Sequence, residues 1–303
     1  MNGLVAFVFH FNRPGYLENA VASLERHLPK VPVVVMDDGS NDPAARASLA
    51  SVELRHEIVI CRPQATMAER TGGLHANIQT ALLRAAKDNQ HYALMLQDDM
   101  QMVRPLDDLD WQAAERAFAP PDASFVLTVC FRKGVRRHRA NERNYVAAGE
   151  GLCRRIIEEA TPQHFAYSDV GLFDVRRFIA LETNILSSEM ANEHHFRRLG
   201  LRMSVLTAPF MHYLPFPITF RNRRRGIRAS FADWLAGAGL HILDDLSPAE
   251  ILRLRQLPDV IPPFAEDWLR APTAPDAKFW SLHGGRSNLL ARGGWRGMVG
   301  RML

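Results

Sequence analysis

The sequence predicts an α/β protein built on a mostly parallel sheet with helices on both faces. Three observations carry that reading. Val33-Val34-Val35-Met36 is an apolar run that stops at Asp37-Asp38-Gly39-Ser40, two carboxylates followed by turn residues. A second run, Tyr92-Ala93-Leu94-Met95-Leu96-Gln97, stops in the same way at Asp98-Asp99. Between them, segments of helical periodicity alternate with strand-like segments through the first third of the chain. Ligands bind outside the carboxyl ends of the strands in such sheets. Acids gathered there are candidates to hold hydroxyls, base edges or a hard cation.

Taken in order, Leu4 to Phe9 reads as the first strand, and Asn12-Arg13-Pro14 opens a helix with proline in its first turn. Leu17, Ala20, Val21 and Leu24 give that helix one apolar face. Val31 to Met36 and Glu57 to Cys61 are the next strands. Ile78, Ala81, Leu82 and Ala85 repeat the helical spacing before the strand that ends at Asp98-Asp99. Ser124 to Cys130 reads as a further strand, Glu189 to Leu199 as a helix, and Met203 to Ala208 as a strand. Ser247-Pro248-Ala249-Glu250 matches a capping box, and its helix runs through Gln256.

Composition narrows the function classes. The chain has 303 residues, 47% of them hydrophobic, and a formal net charge of +4. That length accommodates one large domain and an appendage. The three cysteines, Cys61, Cys130 and Cys153, form no zinc or disulfide pattern and read as reduced thiols of a cytoplasmic protein. The apolar run from Leu4 to Phe11 is too short to span a bilayer and lacks a basic leader. Much of the basic excess lies at 132–143, in Arg132, Lys133, Arg136, Arg137, Arg139 and Arg143. That stretch reads as a solvated loop, with a sleeve for an anionic acceptor as the sharper alternative. It lacks interleaved aromatics, which argues against a nucleic-acid partner.

Taken together, the motifs resemble the GT-A glycosyltransferases, family 2 in particular. Phe11-Asn12-Arg13-Pro14, Met36-Asp37-Asp38-Gly39-Ser40, the loop and helix from Arg70 to Asn77, and Gln97-Asp98-Asp99 follow the family's order. Ser188-Glu189, Arg197-Arg198-Leu199-Gly200 and His212 complete it, so the resemblance covers residues 4–215. It implies a sugar-nucleotide donor, a UDP-sugar by preference, and a single inverting transfer to a carbohydrate or lipid-linked acceptor, as in bacterial glycan or polysaccharide synthesis. Asp38 is expected on the base, with Phe9 or Phe11 and Asn12 beside it. Asp98 is expected on a ribose or sugar hydroxyl, and Arg70 and Arg221 belong to the donor site. Asp99 and His212 are expected to hold Mn²⁺ or Mg²⁺, for which oxygen donors with one imidazole are suited. Arg223, Arg224 and Arg225 are further partners for a diphosphate.

Counting back from Arg197-Arg198-Leu199-Gly200 puts Glu189 at the family's catalytic base, with Glu193 and Asp169 as rivals. A carboxylate at a helix N-terminus is held as the anion and can accept a proton. Two departures stand out. Gln97 occupies the first acid position of the DXD pattern, and Ser188 replaces the first acid of the Glu-Asp pair. They keep open a non-catalytic GT-A-like nucleotide-binding protein as the alternative.

The expected division is a glycosyltransferase domain over 1–235, its nucleotide half to about residue 105, and a C-terminal helical extension and tail over 236–303. In the tail, Leu289, Leu290, Trp295, Met298, Val299, Met302 and Leu303 alternate with Arg286, Arg292, Arg296 and Arg301. Gly293, Gly294, Gly297 and Gly300 argue against a stable helix. The tail therefore reads as packed coil or unordered chain. A segment lying in the inner membrane interface is the alternative.

Overall fold

The computed structural model describes residues 3–61, 73–120, 124–134, 145–156, 165–218, 226–258 and 261–302. The first strand, β1 (Leu4–His10), has all seven residues buried, as a central strand covered on both faces requires. Helix α1 (Tyr16–His27) buries Leu17, Ala20, Val21 and Leu24, the stripe read from the sequence. Pro14 lies ahead of this helix rather than in its first turn. Gly15, at φ 78°, takes the cap position, and Glu18 accepts its N–H at 2.8 Å. Strand β2 (Val33–Asp37) follows, then α2 (Pro43–Glu53), which Asp42 caps, then β3 (Glu57–Ile60). Helix α3 (Gly73–Lys87) buries Ile78, Ala81, Leu82 and Ala85 and leads into β4 (Tyr92–Gln97).

The rest of the chain is more varied. It comprises β5 (Met100–Met102), α4 (Asp108–Phe118), β6 (Val126–Thr128), β7 (Tyr145–Gly149), β8 (Leu152–Arg155) and β9 (Gly171–Asp174). Then come α5 (Val175–Ala180), α6 (Glu189–Arg198), β10 (Ser204–Leu206), β11 (Met211–Tyr213), α7 (Ile227–Ala236), α8 (Pro248–Arg255), α9 (Ala265–Trp268), α10 (Arg286–Arg292) and α11 (Gly294–Met302).

Nine strands form one sheet in the order β3-β2-β1-β4-β9-β6-β10-β8-β7, and β11 pairs with β5 in a separate ribbon. The half from β3 to β4 is parallel, as the sequence predicts. Beyond β4 the sheet is mixed, because β9 runs antiparallel between β4 and β6. Gly171 is required at the start of β9. Its φ is 135°, and a Cβ there would stand 2.6 Å from the Leu127 carbonyl. In register, Phe9 lies opposite Gln97 and His10 opposite Asp37, so β1, β2 and β4 end at one level.

Helices cover both faces of the sheet, and each face has its own apolar core. A third core joins Tyr16 and Val103 to Leu243, Leu246, Leu254 and Leu269, so the C-terminal extension packs directly on the sheet domain. Polar contacts reinforce that joint. Gln101 donates to the Leu243 carbonyl at 2.6 Å and accepts its N–H at 3.0 Å. Arg104 is fully buried, forked onto both oxygens of Asp110 at 2.6 and 2.8 Å. Arg255 of α8 reaches Asp110 at 3.0 Å and Asp107 at 2.7 Å. The capping box at Ser247 and Glu250 forms as expected.

The tail corrects the sequence reading. Residues 286–302 form two helices despite four glycines. Gly297 and Gly300 are the buried residues of α11, and a Cβ on Gly300 would lie 2.9 Å from the Leu289 Cβ. Close approach of α11 to α10 outweighs the propensity cost of glycine, about 1 kcal/mol per residue.

Candidate active site

The carboxyl ends of β1 and β2 are locked together by the loops that follow them. Asn12 adopts φ 51°, a left-handed conformation that asparagine tolerates. Its Oδ1 accepts the N–H groups of Asn41 and Asp42 at 2.8 and 3.0 Å, and its Nδ2 donates to Asn41 Oδ1 at 2.8 Å. Its own N–H reaches Ser40 Oγ at 3.0 Å. Asn12 thus shapes the donor-side loop from within. Asp37 does the same for the turn, accepting from the Gly39 and Ser40 amides at 3.0 and 2.8 Å and from the Ser40 hydroxyl at 2.6 Å. That leaves Asp38 as the acid set at the mouth. It lies under the first turn of α3, where a Cβ on Gly73 would come within 2.5 Å of Asp38 Oδ2. The positive end of the helix favours a carboxylate there. Of the two candidate aromatics, Phe9 is buried in the core beside Met36 and Ile78, whereas Phe11 is half-buried at the edge.

At the end of β4, the two acids differ. Asp98 is fully buried. Its Oδ2 meets His10 Nδ1 at 2.8 Å and accepts the Phe11 N–H at 3.3 Å, while Arg13 stands 2.7 Å from Oδ1. The sequence reading puts Asp98 on a ribose or sugar hydroxyl; in the structure its Oδ2 is hydrogen-bonded within the protein and its Oδ1 is ion-paired with Arg13. Asp99 Oδ2 pairs with Arg13 Nη1 at 2.5 Å, and its buried Oδ1 makes no hydrogen bond. Burial drives the Asp99 carboxyl above the usual carboxylate range, Arg13 opposes that, and Asp98 adds to it. For Arg13, burial works against the charge, but Asp98 and Asp99 overcome it and raise its pKa. One guanidinium therefore ties both acids of the strand end together. Sequence reasoning missed His10 and this role of Arg13, although Arg13 sits inside the motif it used.

The β5–β11 ribbon closes the site from the other side. His212 lies opposite Gln101, and the Leu214 N–H donates to the Asp99 carbonyl at 2.7 Å. His212 is buried. Burial and the nearby Lys133 ammonium push its pKa down to about 3, so the ring is neutral. Its Nδ1 has no hydrogen-bond partner. A neutral imidazole with a free nitrogen and a carboxylate with a free oxygen are donors that suit a divalent cation. Among the described residues no three His, Cys, Asp or Glu side chains converge on one point. The donor set therefore fits a cation that takes its remaining oxygens from phosphate and water, not a protein-only cage.

On the opposite bank stand the candidate bases. Glu189 is exposed in the first turn of α6, and Ser188 supplies the N-cap by accepting the Ala191 N–H at 3.2 Å. The serine that departs from the family's acid thus has a helix to cap. Glu193 is removed as a rival: it is buried and accepts the N–H groups of Phe165, Ala166 and Tyr167 at 3.0 to 3.2 Å. Asp169 stands 3.2 Å from His75 Nε2 at the start of α3 and, after burial, is the main influence raising the pKa of the buried Tyr167 hydroxyl. The approach of His75 to Tyr167 and Asp169 has no signal in the sequence, since about 90 residues separate them. Tyr213, in β11, feels acids from both groups. Its hydroxyl is pushed well above its ordinary value by burial first, then by Cys130, Asp99, Glu189 and Asp169. Arg70, Arg221, Arg223, Arg224 and Arg225 lie outside the described residues.

No protein-family model and no curated protein matches this sequence. Solved structures with a related arrangement include S. aureus TarS 1-349, at 14% identity and TM-score 0.43, over 83% of this chain and 69% of that one. The same protein in complex with UDP matches at 15% identity and TM-score 0.42, over 83% and 69%. The mannosyltransferase PcManGT from Pyrobaculum calidifontis, in complex with GDP-Man and Mn²⁺, matches at 14% and 0.43, over 77% of this chain and 61% of that one.

Proposed function

We propose that this protein is a glycosyltransferase that moves one sugar from a nucleotide-sugar donor, a UDP-sugar by preference, to an acceptor hydroxyl with inversion. The observation that carries the reading is a buried acid with an unbonded oxygen, Asp99, just after β4, together with an exposed acid, Glu189, at the start of α6. Asp99 stands at the sheet edge beside Arg13, and the exposed Glu189 stands at the N-terminus of α6. Asp38 and Phe11 take the base, within the loop that Asn12 and Asp37 hold in shape. Asp98 fixes Arg13 and thereby Asp99 rather than touching the ribose. Asp99 and His212 hold Mn²⁺ or Mg²⁺ against the diphosphate. When bound, that cation neutralises charge on the departing nucleoside diphosphate. Arg70 and Arg221 are the further candidates for the diphosphate.

Glu189 takes the proton from the acceptor hydroxyl as its oxygen attacks the anomeric carbon. A positioned base contributes on the order of 10²–10⁴-fold. Glu189 is exposed at the N-terminus of α6, on the solvent side where an acceptor arrives, a carbohydrate or a lipid-linked glycan. The proposed setting is the cytoplasm. Among the described residues no helix is long and apolar enough to cross a membrane. Gln97 and Ser188 favour a second reading, a nucleotide-binding protein without turnover. Release of sugar from UDP-sugars by the purified protein with Mn²⁺ distinguishes the two. In parallel, Asp99→Ala is expected to abolish Mn²⁺-dependent binding of UDP in calorimetric titration. Wild-type affinity in that variant would remove Asp99 from the cation site.

A further inference from the structure

Two helices in the last third of the chain are built inside out. Helix α7 turns Ala232, Asp233 and Ala236 inward, where Ala232 and Ala236 meet Leu289 of α10. Its large apolar residues, Ile227, Phe231 and Trp234, recur at i, i+4 and i+7 and share one stripe. That stripe is exposed: 90% for Ile227, 46% for Phe231 and 73% for Trp234. Helix α11 repeats the pattern. Gly297 and Gly300 are buried, whereas Trp295, Met298 and Met302, at i, i+3 and i+7, are exposed at 58%, 57% and 86%. Both helices pack on α10, so the stripes belong to one helical unit. An amphipathic helix in water buries its apolar stripe; here each buries its small residues and offers the large ones outward. Large apolar side chains exposed in stripes on two neighbouring helices mark an interaction face.

The charges beside the stripes identify what the face meets. After Asp276 the chain contains Lys278, Arg286, Arg292, Arg296 and Arg301 and no acid at all. Arg228 stands exposed beside Ile227 on α7. Arg292 is depressed by burial and by the nearby Arg296, with Asp276 opposing, which puts those two cations and one acid close together. Arg296 also lies 5.3 Å over the Trp295 ring, so cation and indole share one edge. Tryptophan, methionine and isoleucine interleaved with arginine in excess over acid suit the headgroup region of an anionic bilayer. An acidic protein surface would satisfy the arginines but leave the methionine and isoleucine tips without an apolar phase.

We infer that α7 and α11 form a peripheral docking face that seats the protein on an anionic lipid bilayer through Ile227, Phe231, Trp234, Trp295, Met298 and Met302. The inference rests on the helices themselves and is independent of the proposed reaction. Co-sedimentation of the full chain with vesicles tests it. One set is phosphatidylcholine alone, the other equal parts phosphatidylcholine and phosphatidylglycerol. Binding is expected to the anionic set, with attachment weakening as salt rises. Each basic residue at the surface strengthens attachment by about fivefold, so Arg296→Ser with Arg301→Ser is expected to weaken it by roughly 25-fold. A second variant, Trp234→Ser with Trp295→Ser and Met298→Ser, changes only exposed residues and is expected to fold normally by circular dichroism yet lose vesicle binding. Equal sedimentation of wild type and that variant overturns the inference. So does failure of the wild type to bind anionic vesicles. A wild type that ignores vesicles but forms dimers that the variant does not would assign the face to a second copy of the chain, and this also overturns it.

Discussion

Glu193→Ala and Glu189→Gln separate scaffold from chemistry on a single helix. Glu193 is buried and its two oxygens accept three backbone N–H groups, those of Phe165, Ala166 and Tyr167, at 3.0 to 3.2 Å. Each hydrogen bond to a charged acceptor contributes about 1.5–3 kcal/mol. Three of them set an upper bound of about 4.5–9 kcal/mol for removal of the carboxylate. Water entering the space left by the side chain recovers part of that. The expected loss is therefore about 3–5 kcal/mol, the range for stripping one partner from a buried charged network. Domains are stable by only about 5–15 kcal/mol, so the variant should fold but unfold at a clearly lower denaturant concentration. Glu193→Gln keeps one amide oxygen as acceptor and should fall between. Glu189 is exposed, and Glu189→Gln should cost under about 0.5 kcal/mol. Urea unfolding followed by circular dichroism measures all three. In the sugar-transfer assay the order reverses: Glu189→Gln should lose kcat on the order of 10²–10⁴-fold with little change in donor affinity. A Glu193→Ala protein as stable as wild type would refute the structural role. Near-normal turnover by Glu189→Gln would move the base to Asp169.

Three further outcomes follow from the same geometry. Arg13→Met leaves Asp98 and Asp99 buried with no guanidinium between them; it should cost about 3–5 kcal/mol in thermal unfolding. Mn²⁺ should raise the Tm of that variant more than that of wild type, and equal responses would separate Arg13 from the cation position. Gly73→Ala drives a methyl into Asp38; it should weaken UDP binding at least tenfold, since displacements near 1 Å in a site cost about 10²-fold, and unchanged affinity in titration calorimetry would remove Asp38 from the base site. Burial alone would raise the Asp107 carboxyl, but Arg255 and the Asp110 N–H hold it below its ordinary value. A depressed pKa stabilises the fold above the unfolded value near 3.9 and ceases to do so as pH falls through the folded value. The stability gap between wild type and Arg255→Met should therefore be constant near neutral pH and narrow below about pH 4. A gap that widens on acidification would contradict the pairing.

Much of the donor side was legible because its signals are local. An apolar run that ends in acids announces both a buried strand and the sheet edge where it stops, and β2 and β4 bear this out within a residue or two. The stripes of α1 and α3 follow from 3.6-residue spacing. What stayed hidden depends on partners remote in sequence. Asp98 looks like any acid after a strand; only the fold shows it facing His10 and Arg13. Glu189 and Glu193 both sit early in one helix, and nothing in their spacing says which faces the core. The strands β5, β9, β10 and β11 have three or four residues each, too short for periodicity. Glycines in the tail misled because propensity measures an isolated helix, whereas Gly297 and Gly300 are contact positions against α10.

Charge at the sheet edge explains how Gln97 fits the proposed reaction. Asp98 and Asp99 share the Arg13 guanidinium, and Lys133 acts on both Asp99 and His212. Two cations therefore already stand beside the two acids. An acid at position 97 would add negative charge and would hold a divalent cation on its own more firmly. With Gln97 the protein offers few charged oxygens, and a diphosphate must supply the remainder. Cation and donor then bind as a pair: each supplies the charge that the other lacks, and the coupling is reciprocal. Arg13 sets the terms of that exchange. Its guanidinium holds the two buried acids in place before any ligand arrives and occupies Asp99 Oδ2, while Oδ1 makes no hydrogen bond. If Asp99 and His212 hold a divalent cation as proposed, a diphosphate would have to complete its oxygen shell, and the cation would bind more weakly without it. On the proposed reading, the substitution at Gln97 thus links release of the cation to release of the product, and the edge returns to the state in which Arg13 alone bridges Asp98 and Asp99.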